Sequence, residues 1–314
     1  MKKIKLCLIG TGKMGLAYVK VIRCINRKAI LTDVIGRNIS KTKKFASQNK
    51  IENFHTTFND LKKIDAFIIA VSEENLFKVL KRVAEYNLPT LIEKPLGINY
   101  QQSKKIHKFL SRKNFFFVAL NRRFFNSTLE FKKKLDISKD KFCFIINDQQ
   151  DTLQAKKIGK HPKVIKNYMY ANSVYLIDLI KFFVNSKIKK IENKLIKISK
   201  QKKIFFSKIN FANGSFVFYV CKWNIPGRWS VEAYSKKIIL SMKPLENLYY
   251  KFKNKKTISF LSKNNDDNLY KPGLKKIIDE FIYFINNKRF KKNKLTNISE
   301  YIQTVKLIKK IYEN

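Results

Sequence analysis

The strongest constraint on the fold is an alternation that runs through residues 1–120. Ile4–Ile9 is apolar and strand-like, and the "MGLAYVKVIRCI" that follows spaces Leu16, Val19, Ile22 and Ile25 along one face of a helix. "AILTDVIGR" reads as a second strand and "SKTKKFASQN" as a short helix. Residues 66–71 form a continuous apolar run, the kind buried on both faces of a parallel sheet. "ENLFKVLKRVAEYN" is amphipathic, with Leu76, Val79, Leu80 and Val83 on one side. "LPTLIEKPLG", "NYQQSKKIHKFLSRK" and "NFFFVALNRRF" continue as strand, helix and strand. The pattern predicts a doubly wound parallel sheet with helices on both faces. Sheets of this kind take ligands beyond the carboxyl ends of their strands.

The turn after the first strand reads Gly10-Thr11-Gly12-Lys13-Met14-Gly15, a G-x-G-x-x-G run between strand and helix. Gly10 permits a tight turn, Gly12 lets a pyrophosphate approach the backbone, and Gly15 lets the helix sit close to the strand. The free N–H groups of the helix start then face the phosphates. A plain glycine turn is the alternative, and the placement favours a dinucleotide. The end of the second strand tests which one. An acidic residue there would hold a ribose 2′-hydroxyl, but Gly36 and Arg37 occupy the position, and Asp33 falls inside the strand. A small residue followed by arginine leaves room and a partner for a 2′-phosphate, so NADP(H) is slightly favoured over NAD(H). Val71 and Ser72 close the 66–71 strand, and Glu93 and Lys94 close a later one. All four belong at the ligand edge as cofactor contacts.

At 314 residues, the chain has room for about two domains. The expected division is 1–120 and 121–314. In the second part "DKFCFIIND", "NGSFVFYVCKWNI", "SKKIILSM", "NLYYKF" and "KTISFL" alternate like strands, and "YANSVYLIDLIKFFVN" is a helix that buries Val174, Ile177, Leu179 and Ile180. Two closing helices are expected near 274–287 and 298–312, the second capped by Asn297 or Ser299 with Glu300 in its first turn.

The net charge of +44 raises the question of a nucleic-acid or membrane partner. The lysines are spread along the whole chain between apolar positions, as on solvated faces. Lys, Asn, Ile and Phe are abundant, while there are 9 Gly and 6 Pro, a composition that A/T-rich codons produce. Neither a nucleic-acid nor a membrane partner is expected. No apolar run approaches the roughly 20 residues of a membrane span, and the basic start leads into a glycine turn rather than a cleavage site. Cys7, Cys24, Cys143 and Cys221 are scattered and read as small core residues of a cytoplasmic protein. The three histidines are dispersed, so no metal site is expected.

With these residues in view, the chain resembles the glucose–fructose oxidoreductase, inositol dehydrogenase and MocA family. The resemblance rests on the glycine run, on Glu93-Lys94-Pro95-Leu96-Gly97, on "ALNRRF", "NSVYLID" and "WNIPGRW", and on "KPLE" at 243–246. It implies a Rossmann domain followed by an α/β domain with a large, open, mostly antiparallel sheet, often joined face to face into homodimers or homotetramers. It also implies hydride transfer between a nicotinamide cofactor and a carbon bearing oxygen on a sugar or polyol. Lys94 takes the place of the motif lysine beside the reacting hydroxyl. Many relatives carry Asp-x-x-x-His on the first helix of the second domain; here Ala171 and Tyr175 stand in those positions. Some branches use Tyr there, so Lys94 and Tyr175 are the expected acid/base pair, with packing alone as the other reading of Tyr175. Asp178, one turn on, orients the helix or Tyr175, or meets solvent.

Arg122 and Arg123 follow the sixth strand, one of them to grip substrate by a forked contact and the other on the surface. Lys157, Lys160, His161 and Lys163 lie in a stretch read as a loop over the site or as a generic basic loop, and Asn172 adds a polar group ahead of Tyr175. Leu76 occupies a position where relatives often have His. The details resemble members that act on nucleotide sugars in surface-polysaccharide pathways. The competing expectation is a catalytically silent member that uses its dinucleotide for regulation or partner binding.

Overall fold

The computed structural model describes residues 3–61, 63–262, 264–287 and 294–313. They divide into two compact units. The first holds the described residues up to Gly97, of Gln101–Asn121 and of Asp266–Ile302; the second holds the described residues of Ile98–Tyr100, Arg122–Asn265 and Gln303–Asn314. The segment 266–302 therefore belongs with the first unit, whereas the sequence reading assigned everything after 120 to the second.

The first unit is built on strands β1 (Ile4–Ile9), β2 (Ala29–Ile35), β3 (Asn53–His55), β4 (Ala66–Ile69), β5 (Thr90–Glu93) and β6 (Phe116–Ala119), with helices α1 (Lys13–Cys24), α2 (Ile39–Gln48), α3 (Leu76–Glu85) and α4 (Tyr100–Leu110) between them. The sheet order is β6-β5-β4-β1-β2-β3, all parallel, so the order reverses between β1 and β4. Every residue of β4 and β6 is buried, as a doubly covered parallel sheet requires. A two-residue strand from the returning segment, Thr296–Asn297, pairs antiparallel with β6. The short β3 had no signal in the sequence, because three residues carry too little pattern.

The second unit carries an eight-stranded sheet. Its strands are β7 (Cys143–Gln150), β8 (Ile188–Lys197), β9 (Lys203–Phe211), β10 (Phe216–Trp223), β11 (Ser230–Tyr234), β12 (Ile238–Met242), β13 (Leu248–Phe252) and β14 (Ile258–Phe260). The order is β14-β13-β12-β11-β7-β10-β9-β8, with every pair antiparallel except β7–β10. Strict alternation sets the two faces: Phe144, Ile146 and Asp148 of β7 point inward, as do Val217, Tyr219 and Cys221 of β10. Helices α5 (Asn126–Ser138) and α8 (Val174–Val184) cover that inner face, with Phe131 and Phe183 in contact at 4.7 Å between ring centres. The outer face leaves Phe206, Phe218 and Ile239 exposed at 37%, 41% and 40%.

Two local expectations change, and a third narrows to one of its two residues. The stretch expected as a basic loop is helical: α6 (Thr152–Lys157), α7 (Pro162–Lys166) and a π-turn at Met169–Ser173 lead into α8. Cys24 is exposed rather than a core residue, unlike Cys7 and Cys221. The last helix, Ile298–Tyr312, is capped by Asn297, whose Oδ1 accepts from Glu300 N at 2.8 Å.

Under the second sheet lies a buried polar network. Tyr219 Oη donates to Asp148 Oδ2 at 2.5 Å, and Gln150 Nε2 donates to Asp148 Oδ1 at 2.8 Å. Tyr312 Oη meets Tyr219 Oη at 2.7 Å and Ser173 Oγ at 3.0 Å. Burial pushes the Asp148 carboxyl up to about 6, against hydrogen bonds that act to lower it. A raised acid favours the fold in its protonated form. Its contribution is therefore full below the ordinary aspartate value and is lost as pH rises through about 6. Urea unfolding across that window should show Asp148→Asn losing a pH-dependent component on the order of 3 kcal/mol relative to the parent; identical pH slopes in the two proteins would refute the assignment.

Candidate functional site

In the first unit the carboxyl ends of β1 and β4 meet at the reversal of strand order. Gly10 sits there at φ +114°, a region that favours glycine, and a Cβ on it would meet Ala70 O at 2.3 Å. This contact brings the glycine loop against the backbone that continues into Val71 and Ser72. A Cβ on Gly15 would meet Gly10 O at 2.2 Å, so Gly15 lets α1 lie against the loop. Gly12 differs: a Cβ there would point into open space. Gly12 is the N-cap of α1 and no side chain caps it, so the first-turn N–H groups stay available to an acceptor. Thr11 and Met14 are half-buried and Lys13 is exposed. This open, uncapped cradle fits a dinucleotide pyrophosphate.

At the end of β2 the explanation of Gly36 shifts. A Cβ there would strike Thr42 Oγ1 at 2.2 Å, so packing against α2 already demands glycine. Arg37 is exposed beyond it. Asp33 is buried inside β2 and bound to His55 Nε2 at 2.9 Å, which takes it out of reach of a ribose. Ser72 Oγ accepts from Asn75 Nδ2 at 2.9 Å and shapes the turn into α3, where Leu76 is buried.

Glu93 ends β5. Burial holds its carboxyl above the usual range, opposed by a hydrogen bond from Tyr18 Oη at 2.7 Å and by the charges of Lys94 and Lys271. Lys94 follows, half-buried, and the Lys94–Pro95 peptide is cis. Pro95, Leu96 and Gly97 are buried, and Leu96 N donates to Tyr301 Oη at 3.3 Å. Tyr18 and Lys271 escaped the sequence reading. Both act on Glu93 from positions distant in the chain, and no motif marks them.

A short 3₁₀ turn, Asn121–Phe124, carries the two arginines, both of the second unit, to different fates. Arg123 is buried and binds Asp178 twice, Nε to Oδ2 at 2.6 Å and Nη2 to Oδ1 at 2.7 Å, while Thr304 Oγ1 adds a third contact at 3.1 Å. This corrects the expectation that one arginine is a surface residue, and it removes Arg123 from the substrate candidates. Asp178 is correspondingly an ion-pair partner in the core, not a group in solvent. Arg122 instead lies 3.5 Å from the ring centre of Tyr175 and 4.4 Å from that of Trp229.

Arg122, Trp229, Gln149, Gln154, Asn172 and Tyr168 line a cavity of about 480 Å³, with Asp151, Arg228 and Glu246 also on its wall. Tyr175 is buried behind this arrangement and does not line the cavity. His161 does not reach it either: exposed, it caps α7 by accepting from Lys163 N at 3.2 Å. Trp229 was legible as part of the "WNIPGRW" run, though not as a ring against Arg122. No group of three or more His, Cys, Asp or Glu that suits a metal occurs among the described residues. Nor is any helix among them long and apolar enough to cross a membrane. Exposed lysines stand on α2, α4 and β8 alike, in both units.

Residues 4–119 match the Gfo/Idh/MocA family model, described as an oxidoreductase family with an NAD-binding Rossmann fold. No curated protein sequence matches the chain. Three solved structures are similar across nearly their whole length. A dehydrogenase from Chromobacterium violaceum is 12% identical with a TM-score of 0.84, covering 100% of this chain and 95% of that one. Levoglucosan dehydrogenase in complex with NADH is 17% identical with a TM-score of 0.80, covering 99% and 96%. UDP-N-acetylglucosamine 3-dehydrogenase from Acidithiobacillus ferrooxidans is 12% identical with a TM-score of 0.75, covering 99% and 97%. At these identities the likeness is one of fold.

The glycine loop yields a paired test. Gly15→Ala should lower stability by about 1–3 kcal/mol through overpacking. Gly12→Ala should cost no more than about 1 kcal/mol, as an N-cap change, yet weaken dinucleotide binding about tenfold or more. Fluorescence titration with NADPH and NADH reads the second effect, and tighter NADPH binding is expected from Arg37. Normal affinity in Gly12→Ala would remove the loop from the cofactor site.

Proposed function

We propose that this member of the glucose–fructose oxidoreductase, inositol dehydrogenase and MocA family is an NAD(P)-dependent dehydrogenase or reductase acting on a CH–OH carbon of a sugar, polyol or nucleotide sugar. The observation that carries the reading is the ligand edge of the first unit. The open Gly12 cradle, the Val71–Ser72 turn and the Glu93–Lys94 pair all stand at carboxyl ends of its parallel strands. The second unit supports the substrate class. Its cavity combines a tryptophan, a tyrosine and amide side chains with charges of both signs, a mixture suited to a polyhydroxylated ligand. Two proteins of similar fold are named for levoglucosan and for a nucleotide sugar.

The nicotinamide, when bound, supplies or accepts the hydride. Lys94 places an ammonium where an alkoxide develops and relays a proton. Glu93, kept above the usual carboxylate range by burial, tunes that charge. Tyr175 is the proposed second group for the hydroxyl proton; it stands behind Arg122 rather than on the cavity wall, and Arg122 against its ring fixes its position. Gly10, Thr11, Gly12, Lys13, Met14, Gly15, Gly36, Arg37, Val71 and Ser72 hold the cofactor, with Arg37 favouring NADP(H). Lys94→Ala should reduce turnover about 100-fold or more while cofactor binding persists, and Tyr175→Phe should reduce it comparably. Both are read as absorbance of the reduced cofactor in a screen of sugars and nucleotide sugars. Full activity in Lys94→Ala would exclude it from the chemistry, and full activity in Tyr175→Phe would leave that residue to packing. Tight cofactor binding with no turnover of any sugar would favour the silent, regulatory reading.

We also take the outer face of the second sheet as the self-association surface of a homodimer or homotetramer. Phe218 and Phe206 stand exposed there, and Phe218 pairs across the ladder with Ile145; apolar patches of this kind mark contact sites. Light scattering should show an oligomer that Phe218→Asp converts to a monomer; an unchanged mass would place the interface elsewhere.

A further inference from the structure

The wall of the second-unit cavity contains a charge that its own protein does not neutralise. Arg122 makes no ion pair among the described residues; a hydrogen bond with Tyr175 serves part of its side chain, while its Nε is buried with no acceptor. Two sides of the guanidinium lie against the rings of Tyr175 and Trp229. A third side belongs to the cavity. Burial pushes its pKa below the ordinary arginine value, against attraction from Tyr175, Glu246 and Asp148. The neighbouring Arg123 shows what a structural arginine looks like in the same turn, with both forks on Asp178.

A partly desolvated charge with no opposite charge in contact is costly unless one arrives. The other charged groups on the cavity wall do not supply one. Asp151 is exposed and its Oδ1 already caps α6 by accepting from Gln154 N at 2.7 Å. Glu246 and Arg228 are both exposed, so water screens them and their opposite signs largely cancel. Arg122 is therefore the charge that decides what the cavity accepts. Held by two rings, its planar fork is pre-organised for two oxygens of one anion.

We propose that the substrate carries an acidic group, a carboxylate or a phosphate, and that Arg122 receives it in the second-unit cavity. The proposal rests on reading that cavity as the substrate pocket, and it narrows the substrate to an acidic or phosphorylated sugar. Other sugars then bind more weakly for want of a partner for Arg122.

Calorimetric titration of the full chain with D-glucuronate, D-glucose 6-phosphate and D-glucose tests this and separates the two acidic sources. At least one acidic sugar should bind about tenfold or more tighter than D-glucose, a preference lost in Arg122→Gln and partly kept in Arg122→Lys. Equal binding of D-glucose, failure of both acidic sugars to bind at millimolar concentration, or an intact preference in Arg122→Gln would overturn it. Should Arg122→Gln not fold, Arg122→Lys decides. The acidic preference must fall in that variant, and an unchanged preference refutes the proposal. A parallel turnover assay keeps the two claims apart. Acidic sugars that bind through Arg122 but never change cofactor absorbance sink the dehydrogenase reading alone. A neutral sugar that turns over with no acidic preference sinks this inference alone.

Discussion

The second unit is organised by the buried ion pair between Arg123 and Asp178. Its two short contacts join the turn after β6 to the middle of α8, and Thr304 ties the last helix to the same carboxylate. A pair of this kind adds little net stability over an apolar substitute, yet losing one partner strands the other at a cost of about 3–5 kcal/mol. What it specifies is registry. With Arg123 locked, the adjacent Arg122 is carried to the other side of the turn, against Tyr175 and Trp229. The position of the candidate substrate group thus depends on a contact that never meets substrate.

The first unit solves a comparable problem with backbone alone. Gly10 and Gly15 are demanded by oxygen atoms of the protein's own chain, at 2.3 and 2.2 Å from where a Cβ would stand. Gly12 is demanded by nothing in the protein, since a side chain there would find space. Three glycines that look alike in a motif divide into two that build the turn and one that leaves room for a ligand.

Much of this was legible in the sequence, and the exceptions share a cause. Alternation and strand-to-helix glycines are local signals, so the parallel sheet and its ligand edge could be read directly. Lys94 was legible through its neighbours Glu93 and Pro95. The partners of those residues were not, because Tyr18 with Glu93 and Asp178 with Arg123 are separated by 75 and 55 residues. Strands β8 and β9 went unread for another reason. On the edge strand β8, lysines mix with exposed Leu195 and Ile196, so no period-two pattern marks it, and β9 interleaves Lys and Asn with apolar residues on both faces. Gly36 was read correctly as needing to be small but for the wrong neighbour: Thr42 crowds it, so the case for a 2′-phosphate falls on Arg37 alone.

The same distinction governs the charge. A net +44 describes the solvated surface, where lysines repel weakly through water and attract anions without choosing among them. Selectivity requires a charge that water only partly screens and that no carboxylate of the protein has already answered. Of two consecutive arginines, one is answered by the carboxylate of Asp178; the other has Tyr175 beside it but no carboxylate in contact, and its Nε has no acceptor. Of the cavity's charged wall groups, those on the surface are screened and opposed. A single half-buried guanidinium can therefore impose more chemical preference on a ligand than the many lysines around it, because less of its interaction energy is screened by solvent.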